Sequence, residues 1–203
     1  MEPDTYLTVK YNSSGTYKEK GSRFIAQAFH VSDQEEIKTI IEKIKKEHHS
    51  ARHNCYAYML GAERLTWRMS DDGEPSGTAG RSILGQINAF NLTDILIVVT
   101  RYFGGILLGT SGLKNAYKKA AGEAIRNNEV TEMVLKEHLK VFFPYQSLND
   151  VMKIIKEEDL NSFDQLFDAE CSIRVEFRLA EKKKILNRFS RISGLYYSLN
   201  ESE

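Results

Sequence analysis

Proline, cysteine and net charge are all scarce in this chain of 203 residues. Only 3 prolines, set against 41% hydrophobic residues, exclude a disordered or low-complexity chain. Two cysteines, Cys55 and Cys171, are too few for a disulfide-stapled secreted scaffold and fit a reducing compartment. Lysine plus arginine and aspartate plus glutamate both total 28, so no global positive field attracts nucleic acid. Any polyanion site must therefore be local.

Long apolar segments are also absent. The apolar run Ile95–Val99 is far shorter than the roughly 20 residues that a membrane-spanning helix needs. The start, Met1-Glu2-Pro3-Asp4, lacks the basic and apolar regions of a signal peptide. We therefore expect a soluble protein of the cytoplasm with no membrane partner.

Apolar spacing predicts a mixture of strands and helices up to about Val130. Asp33 is expected to cap a helix that runs to about His48 with isoleucines on one face. The other predicted elements are strands Tyr6–Val9 and Ser22–Val31, joined as a hairpin through Asn12–Gly15, strands His53–Leu60 and Leu65–Met69, a surface loop Ser70–Gly80, helix Ile83–Phe90, strand Asp94–Thr100 and helix Leu113–Arg126.

The pattern starts again after a boundary predicted near Thr131–Lys136. It has the order β-α-β-β-α-β of a ferredoxin-like fold. The elements are strand Leu139–Phe143, helix Leu148–Glu157, strands Phe163–Phe167 and Ser172–Leu179, helix Glu181–Ile192 and strand Leu195–Leu199. The predicted fold class is therefore α+β with two domains, 1–133 and 134–203.

One strand of the second domain indicates what its sheet shows to solvent. In Ser172–Leu179, apolar residues alternate with Ser172, Arg174, Glu176 and Arg178. The outer face is therefore expected to be charged and not aromatic. This expectation disfavours an RNA-recognition motif and predicts that the domain alone binds single-stranded RNA weakly.

The first candidate site is the loop 70–80, where the carboxylates of Asp71, Asp72 and Glu74 lie among glycines and hydroxyls. Such a cluster could hold a hard cation or supply an acid and a base. Asp-Gly and Glu-Pro are also ordinary turn pairs, and the spacing is not that of a calcium loop. A purely structural turn is the competing interpretation.

The second candidate site is the stretch 100–114. Its glycines are Gly104, Gly105, Gly109 and Gly112. They let backbone amides approach a ligand, and Arg101 and Lys114 add positive charge, so a phosphate could bind here. Neither familiar phosphate-loop motif is present. Ser111 is a poor nucleophile candidate because Leu113 replaces the last glycine of G-x-S-x-G. A turn that only packs a strand against a helix is the alternative.

The third candidate is the segment 48–55. His53 and Cys55 would share one face of a strand and could bind zinc. That face continues with Ala57 and Met59, so Cys55 is predicted to be a core residue. We therefore predict no metal site.

Three motifs occur in order in the first domain: RHNCYAY at 52–58, DDGEPSGTAG at 71–80 and RYFGG at 101–105. Together they resemble the IMPACT/YigZ family over roughly Lys20–Val130, and the second domain resembles the extra C-terminal domain of bacterial members. The resemblance implies a first domain folded like the C-terminal part of ribosomal protein five of the small subunit and like domain four of elongation factor G. It also implies a ferredoxin-like second domain similar to the last domain of that factor.

Two positions depart from the family pattern. Ser111 stands where members commonly have glycine, and Ser82 stands where they commonly have proline. The side chain of Ser111 slightly weakens a site that needs close backbone contact.

The resemblance implies a translation-related role, and the favoured hypothesis is a non-catalytic protein that binds RNA or the ribosome. Positive charge would attract phosphates, and aromatic rings would stack on bases. The residues assigned to this contact are Arg101, Tyr102, Gly104, Gly105, Gly109, Ser111, Gly112, Lys114 and Lys118, with Lys119 beside them. No cofactor is expected, and the acidic loop is expected to order the site without doing chemistry.

The alternative hypothesis is a small metal-dependent hydrolase or transferase. Asp71, Asp72 and Glu74 would hold the metal, and the glycine loop would clamp a phosphorylated substrate. Metal-dependent turnover would distinguish this enzyme from a protein that binds RNA with a strong salt dependence.

Overall fold

The computed structural model describes residues 4–168 and 170–199. The strands are β1 (Thr5–Val9), β2 (Ser13–Glu19), β3 (Ser22–His30), β4 (His53–Leu60), β5 (Thr66–Ser70), β6 (Ile95–Tyr102), β7 (Val130–Val134), β8 (Lys136–Pro144), β9 (Asn161–Phe167), β10 (Glu170–Arg178) and β11 (Tyr196–Leu199). The α-helices are α1 (Gln34–Glu47), α2 (Gly80–Ala89), α3 (Gly109–Arg126), α4 (Leu148–Glu157) and α5 (Lys182–Phe189). No helix in the described ranges is long and apolar enough to cross a membrane.

The chain divides into two compact units. The first is Tyr6–Met133, and the second contains the chain from Val134 onward together with Asp4 and Thr5. Asp4 lies in the second unit, where its carboxylate accepts hydrogen bonds from Arg178 at 2.9 and 3.1 Å.

The first unit is built on a five-stranded antiparallel sheet in the order β2-β3-β6-β4-β5. In the central strand β6, Ile97 and Val99 pack into one hydrophobic cluster, while Leu96 and Val98 pack into a second cluster. Successive residues of a strand point to opposite faces, so both faces of this sheet are covered. That is why β6 is a continuous apolar run rather than an alternating one.

Helix α1 covers one of these faces through Ile37 and Ile44. The prediction that Asp33 caps this helix is confirmed, since Asp33 Oδ1 accepts a hydrogen bond from the Glu36 backbone N–H at 2.8 Å. Helices α2 and α3 cover the other face, and α3 contributes buried alanines whose small side chains permit close packing.

The predicted N-terminal hairpin is wrong. Asn12–Gly15 was expected to be a loop, but β2 begins at Ser13 and pairs with β3, while β1 pairs with β7. The small residues at the start of β2, which suggested a turn, instead allow this strand to pack closely against α3. A side chain at Gly15 would overlap the backbone nitrogen of Ala124 in α3, so glycine allows β2 to lie close to that helix.

Two helices begin earlier than predicted. Helix α2 starts at Gly80 rather than Ile83, and α3 starts at Gly109 rather than Leu113. Apolar periodicity was the signal used to find helices. The first turns of these two helices consist mainly of glycine and polar residues, so they lack that signal and resembled loop.

The second unit has the sheet order β11-β8-β10-β9, and each neighbouring pair is antiparallel. Helices α4 and α5 pack on one face, around a core that includes Val141, Ile155, Ile173 and Phe189. This is the predicted ferredoxin-like arrangement, and the α+β fold class is confirmed.

The outer face of this second sheet differs from the prediction. Besides the charged residues of β10, it carries Phe142 of β8, Phe163 of β9 and Tyr196 of β11. The strand pairing shows this orientation, since Phe142 lies opposite Ser172, Phe163 opposite Arg174 and Tyr196 opposite Phe142. The expectation of a non-aromatic face was wrong because it was drawn from β10 alone. A sheet face is made by all of its strands, and the pairing that brings them together was not visible in one strand.

Candidate functional site

The first carboxylate of the acidic loop, Asp71, holds the start of α2 in place. Its oxygens accept hydrogen bonds from the backbone N–H groups of Gly77, Ala79 and Gly80 at 2.8 to 2.9 Å. Burial by itself would raise the pKa of Asp71, but these three hydrogen bonds outweigh burial and keep the pKa below the ordinary value of an aspartate. Asp71 is therefore an ionised capping group.

The second carboxylate ties the loop to β4. Asp72 Oδ2 accepts a hydrogen bond from the backbone N–H of Asn54 at 2.7 Å, and Lys45 Nζ lies 3.5 Å from the other oxygen. The carbonyl oxygen of Asp72 lies 2.9 Å from His53 Nδ1. This loop therefore fixes the orientation of the His53 ring.

The third carboxylate, Glu74, forms a buried ion pair with Arg101. Arg101 Nη1 donates to Glu74 Oε1 at 2.7 Å, and the two side chains are only 7% and 3% exposed. The hydroxyl of Tyr117 donates to the same oxygen at 2.8 Å, and the Cys55 thiol donates to that hydroxyl at 3.3 Å. The guanidinium of Arg101 also lies 5.5 Å from the ring of Phe103. The result is a connected polar network beneath the surface of the first unit.

Two members of this network are poor reactive groups. Burial raises the pKa of the Cys55 thiol well above its ordinary range, and burial likewise raises the pKa of Tyr117. A buried thiol with a raised pKa is a poor nucleophile, because the thiolate is the reactive form. Cys55 is fully buried among apolar residues, as the sequence predicted.

A pocket of about 410 Å³ opens above this network. It lies where the ends of β4 and β6, the acidic loop and the start of α3 meet. The lining residues are Arg52, His53, Glu74, Pro75, Arg101, Phe103, Leu107, Leu108, Gly109, Thr110 and Leu113. Its wall is largely apolar and its floor is polar, which suits a ligand that has a flat apolar part and polar edges.

The start of α3 presents unpaired backbone donors to this pocket. In the described chain no side chain caps the helix, its N-cap position is Leu108, and no acidic residue lies in its first turn. The free N–H groups of the first turn carry the positive end of the helix dipole and attract anions. Gly109 and Thr110 of that turn line the pocket.

The structure separates two residues that the sequence prediction had joined. Arg101 lies on the face of the sheet that α3 covers, whereas the next residue, Tyr102, points to the opposite face. There its hydroxyl lies 2.8 Å from His48 Nδ1, and the guanidinium of Arg23 lies 4.9 Å from its ring. Tyr102 is therefore not part of the pocket, because consecutive residues of a strand cannot share a face.

The glycines of the predicted loop have separate roles. Gly104 crosses the turn between β2 and β3 so closely that a side chain on it would overlap the backbone of that turn. Gly105 and Gly109 have positive φ angles of 88° and 68°, which favour glycine. Gly112 and the exposed Ser111 lie within α3 rather than in a loop.

The lysines of α3 lie on the surface. Lys114 and Lys118 are exposed one helical turn apart, while Lys119 contacts Tyr17 with its amine 4.9 Å from the ring centroid. Lys114 follows Leu113, which lines the pocket. Lys114 and Lys118 therefore form a short exposed cationic strip on α3.

Sequence reasoning missed Arg52, His53 and Phe103 as pocket residues. His53 and Arg101 are directly paired across β4 and β6, so they share a face and bring two of the three motifs together. If the pairing of β4 with β6 had been known, the sequence would have placed His53 beside Arg101 at the same site. Within the described ranges, no group of three or more histidine, cysteine or acidic side chains is placed to hold a metal ion.

Comparison with known proteins identifies the family. The model of the Impact N-terminal domain matches residues 20–125, which contain all three motifs and every residue that lines the pocket. The chain belongs to the IMPACT family. IMPACT family member YvyE of Bacillus subtilis is 37% identical over 92% of this chain and 84% of its own length. IMPACT family member YigZ of Escherichia coli is 34% identical over 90% of this chain and 92% of its own length.

The similarity extends through the second unit. A crystal structure described as that of a hypothetical protein matches this IMPACT-family chain with a TM-score of 0.73 and 31% identity. The match covers 99% of this chain and 100% of the other. The two-unit architecture is thus shared with a relative of known structure.

Proposed function

We propose that this IMPACT-family protein is a non-catalytic, translation-associated protein that binds RNA, including ribosomal RNA, at the pocket beside α3. The observation that carries the proposal is the composition of the pocket rim. Phe103 is 51% exposed and lines the pocket together with Arg52 and the first turn of α3, and the same helix carries exposed lysines farther along. Aromatic rings that stack on bases, next to cations that attract phosphates, are the usual elements of single-stranded RNA recognition.

A second observation favours a ligand with an oxygen acceptor. In the part of the chain that the structure describes, Arg101 Nε is buried and has no hydrogen-bond partner. Buried donors in folded proteins are almost always paired, so the missing partner is consistent with a group that a ligand supplies. Because Nε has almost no exposed surface, a base carbonyl or a phosphate oxygen would reach this donor only after the Arg101 side chain moves.

The positions of the polar groups support binding rather than catalysis. Asp71 is engaged with backbone amides, Asp72 with Asn54 and Glu74 with Arg101. Each carboxylate of the acidic loop therefore has a structural partner. The resemblance of the first domain to a ribosomal protein and to domain four of elongation factor G supports the translational setting.

The test is a titration of labelled single-stranded RNA and of ribosomes with the full chain across salt concentrations. Loss of Lys114 and Lys118 together should flatten the slope of log affinity against log salt by about 1 to 2, roughly one per phosphate contact. The matched control is the pair Lys38→Ala and Lys46→Ala on α1, which are exposed on a helix that packs on the other face of the sheet. Equal effects of the two pairs would mean that only general charge matters.

Phe103 provides a test of the pocket itself. Phe103→Ala should weaken RNA binding by about 1 to 3 kcal/mol, whereas Phe103→Tyr, which keeps a ring, should bind nearly as the unmodified protein does. Unchanged binding by Phe103→Ala would remove the pocket from the RNA interface. Arg101→Ala is not a clean probe because it also leaves Glu74 buried without its cation.

Two outcomes would replace the proposal. Ribosome binding that survives in all of these variants and does not depend on salt would indicate a protein partner. Metal-dependent turnover of a phosphorylated compound that Asp72→Asn abolishes would support the enzyme hypothesis.

A further inference from the structure

The outer face of the second unit's sheet carries a pattern that the pocket does not explain. Residues directly opposite each other on paired strands share a face, so the pairings define rows across the sheet. Helices α4 and α5 pack on the other face. One row of the outer face holds Tyr196, Phe142, Ser172 and Leu166, and the next holds Ser198, Lys140, Arg174 and Phe163.

The first row contains a pair of stacked rings. The centroids of Phe142 and Tyr196 are 4.8 Å apart and their planes differ by only 8°. The amine of Lys140 lies 5.2 Å from the centroid of the Phe142 ring. Tyr196, at the edge strand, is 53% exposed. An incoming base could therefore extend this stack on Tyr196.

The second aromatic position lies across the sheet, on β9. Phe163 has the guanidinium of Arg174 at 5.6 Å from its centroid and the ring of His138 at 5.6 Å in an edge-to-face arrangement. Neighbouring strands are about 4.8 Å apart, so Phe163 is separated from the Phe142 strand by about 10 Å. Two aromatic positions at this separation suit successive nucleotides of an extended single strand.

Among the acidic groups on this face, Glu176 and Asp164 are paired with cations. Glu170 accepts a hydrogen bond from the Tyr196 hydroxyl at 2.7 Å. Glu176 accepts a hydrogen bond from Lys136 at 2.7 Å, and this bond is the main reason that the pKa of Glu176 falls to about 2. Asp164 pairs with Arg174 at 3.0 Å. Lys140 has no carboxylate partner among the described residues within ion-pair distance. It is the cation best placed to meet a phosphate.

We propose that this outer face, centred on Tyr196, Phe142 and Lys140, binds single-stranded RNA by base stacking. The ferredoxin-like fold uses the same face for RNA in RNA-recognition motifs, where aromatics of the central strands stack on bases. In this sheet Phe142 lies on a central strand, and Tyr196 lies beside it on the edge strand β11. The ligand class is that of the proposed function, but the surface belongs to a different unit. Failure of one site therefore leaves the other testable.

The chemistry of the face favours RNA over a protein partner. Protein interfaces are typically apolar at their centre and depleted of charge, with lysine at the rim. Here Lys140 and Arg174 stand between the two aromatic positions. Cations interleaved with rings match a chain of alternating bases and phosphates.

The experiment is a comparison of two neighbouring tyrosines of β11 in the full chain. Tyr196 and Tyr197 are 53% and 40% exposed but point to opposite faces, Tyr196 opposite Phe142 and Tyr197 opposite Val141. Binding of an oligouridylate of about 10 nucleotides would be measured by fluorescence anisotropy. Tyr196→Ser should weaken binding by about 5- to 100-fold, whereas Tyr197→Ser should leave it within about twofold. Tyr196→Phe, which keeps the stack but loses the hydroxyl bond to Glu170, should bind like the unmodified protein.

A second measurement tests the cation. Lys140→Ala should lower the salt slope by about one unit. Ultraviolet crosslinking followed by mass spectrometry should place the RNA on the peptide that contains Phe142 or Tyr196. Circular dichroism would establish that each variant is folded.

The outcomes separate this proposal from the pocket. If Tyr196→Ser and Lys140→Ala bind like the unmodified protein while Phe103→Ala does not, only the pocket binds RNA and the sheet proposal is wrong. If the sheet variants lose affinity and Phe103→Ala does not, the sheet is the RNA surface and the pocket assignment is wrong. Equal losses for Tyr196→Ser and Tyr197→Ser would indicate damage to β11 and would also overturn the sheet proposal.

Discussion

The two sheets of this protein place their polar groups differently. In the first unit, helices pack on both faces, and the candidate pocket lies where strands end, with Arg101 and His53 in its lining. In the second unit, helices cover one face and leave the other open along its length, including Phe142 and Tyr196. Because both faces of the first sheet are buried, the residues of the candidate site also contribute to the stability of the fold. One-sided burial leaves ligand contacts that can change with little effect on stability.

The largest expected effect on stability comes from the buried ion pair of the first unit, compared with the more exposed ion pair of the second. Glu74→Gln removes the charge partner of buried Arg101 and should lower the free energy of unfolding by about 3 to 5 kcal/mol. Asp164→Asn removes the partner of the more exposed Arg174 and should cost less than about 1 kcal/mol. Urea denaturation followed by circular dichroism measures both.

A control separates charge loss from poor packing. The double change Glu74→Leu with Arg101→Met removes both charges and should cost less than Glu74→Gln alone, because no buried charge is left unpaired. If Glu74→Gln and Asp164→Asn lower the free energy of unfolding equally, burial of both sheet faces does not make the ion pair of the first unit more important for stability.

The second prediction concerns close packing in the enclosed unit. Gly104→Ala places a methyl group against the backbone of Gly21 and should destabilise the fold by about 1 to 3 kcal/mol. Gly85→Ala, in α2, meets no atom within 4 Å and should stabilise the helix by up to about 1 kcal/mol. Thermal unfolding of the two variants compares them. If Gly104→Ala unfolds at the same temperature as the unmodified protein, the segment around Gly104 and the turn that contains Gly21 can move apart to accommodate the methyl group.

The third and smallest effect is a pH dependence from the acidic loop. The pKa of Asp71 is lower in the folded protein than the value of about 3.9 expected when unfolded. The ionised Asp71 carboxylate therefore stabilises the folded protein fully above the unfolded pKa. This stabilisation is lost as the pH falls through the lower pKa of the folded state. Asp71→Asn should cost about 1 kcal/mol at neutral pH, and the difference from the unmodified protein should shrink below about pH 4.

The measurement is the free energy of unfolding in urea at a series of pH values. Glu42→Gln, at an exposed position of α1, is the control and should leave the curve unchanged. A constant difference between Asp71→Asn and the unmodified protein at every pH would show that the carboxylate charge does not support the loop.

Much of the fold could be predicted because it follows from local patterns. The cap at Asp33, strand β4 and the β-α-β-β-α-β order of the second unit all follow from spacing within short segments. The start of β2 was missed because its serines and Gly15 are shaped by contact with α3, which lies about a hundred residues later in the chain. The starts of α2 and α3 were missed because their first turns contain few large apolar side chains.

The sequence by itself determined the family, through three ordered motifs, and the chemical types that the site contains. Only the tertiary structure decided how these residues combine. It paired Arg101 with the buried Glu74, turned Tyr102 to the opposite face and joined His53 to the pocket through the register of β4 and β6. It also assembled the aromatic face of the second sheet from three strands. The physical reason is that strand pairing and burial depend on contacts between distant segments, while composition and motifs are properties of the chain alone.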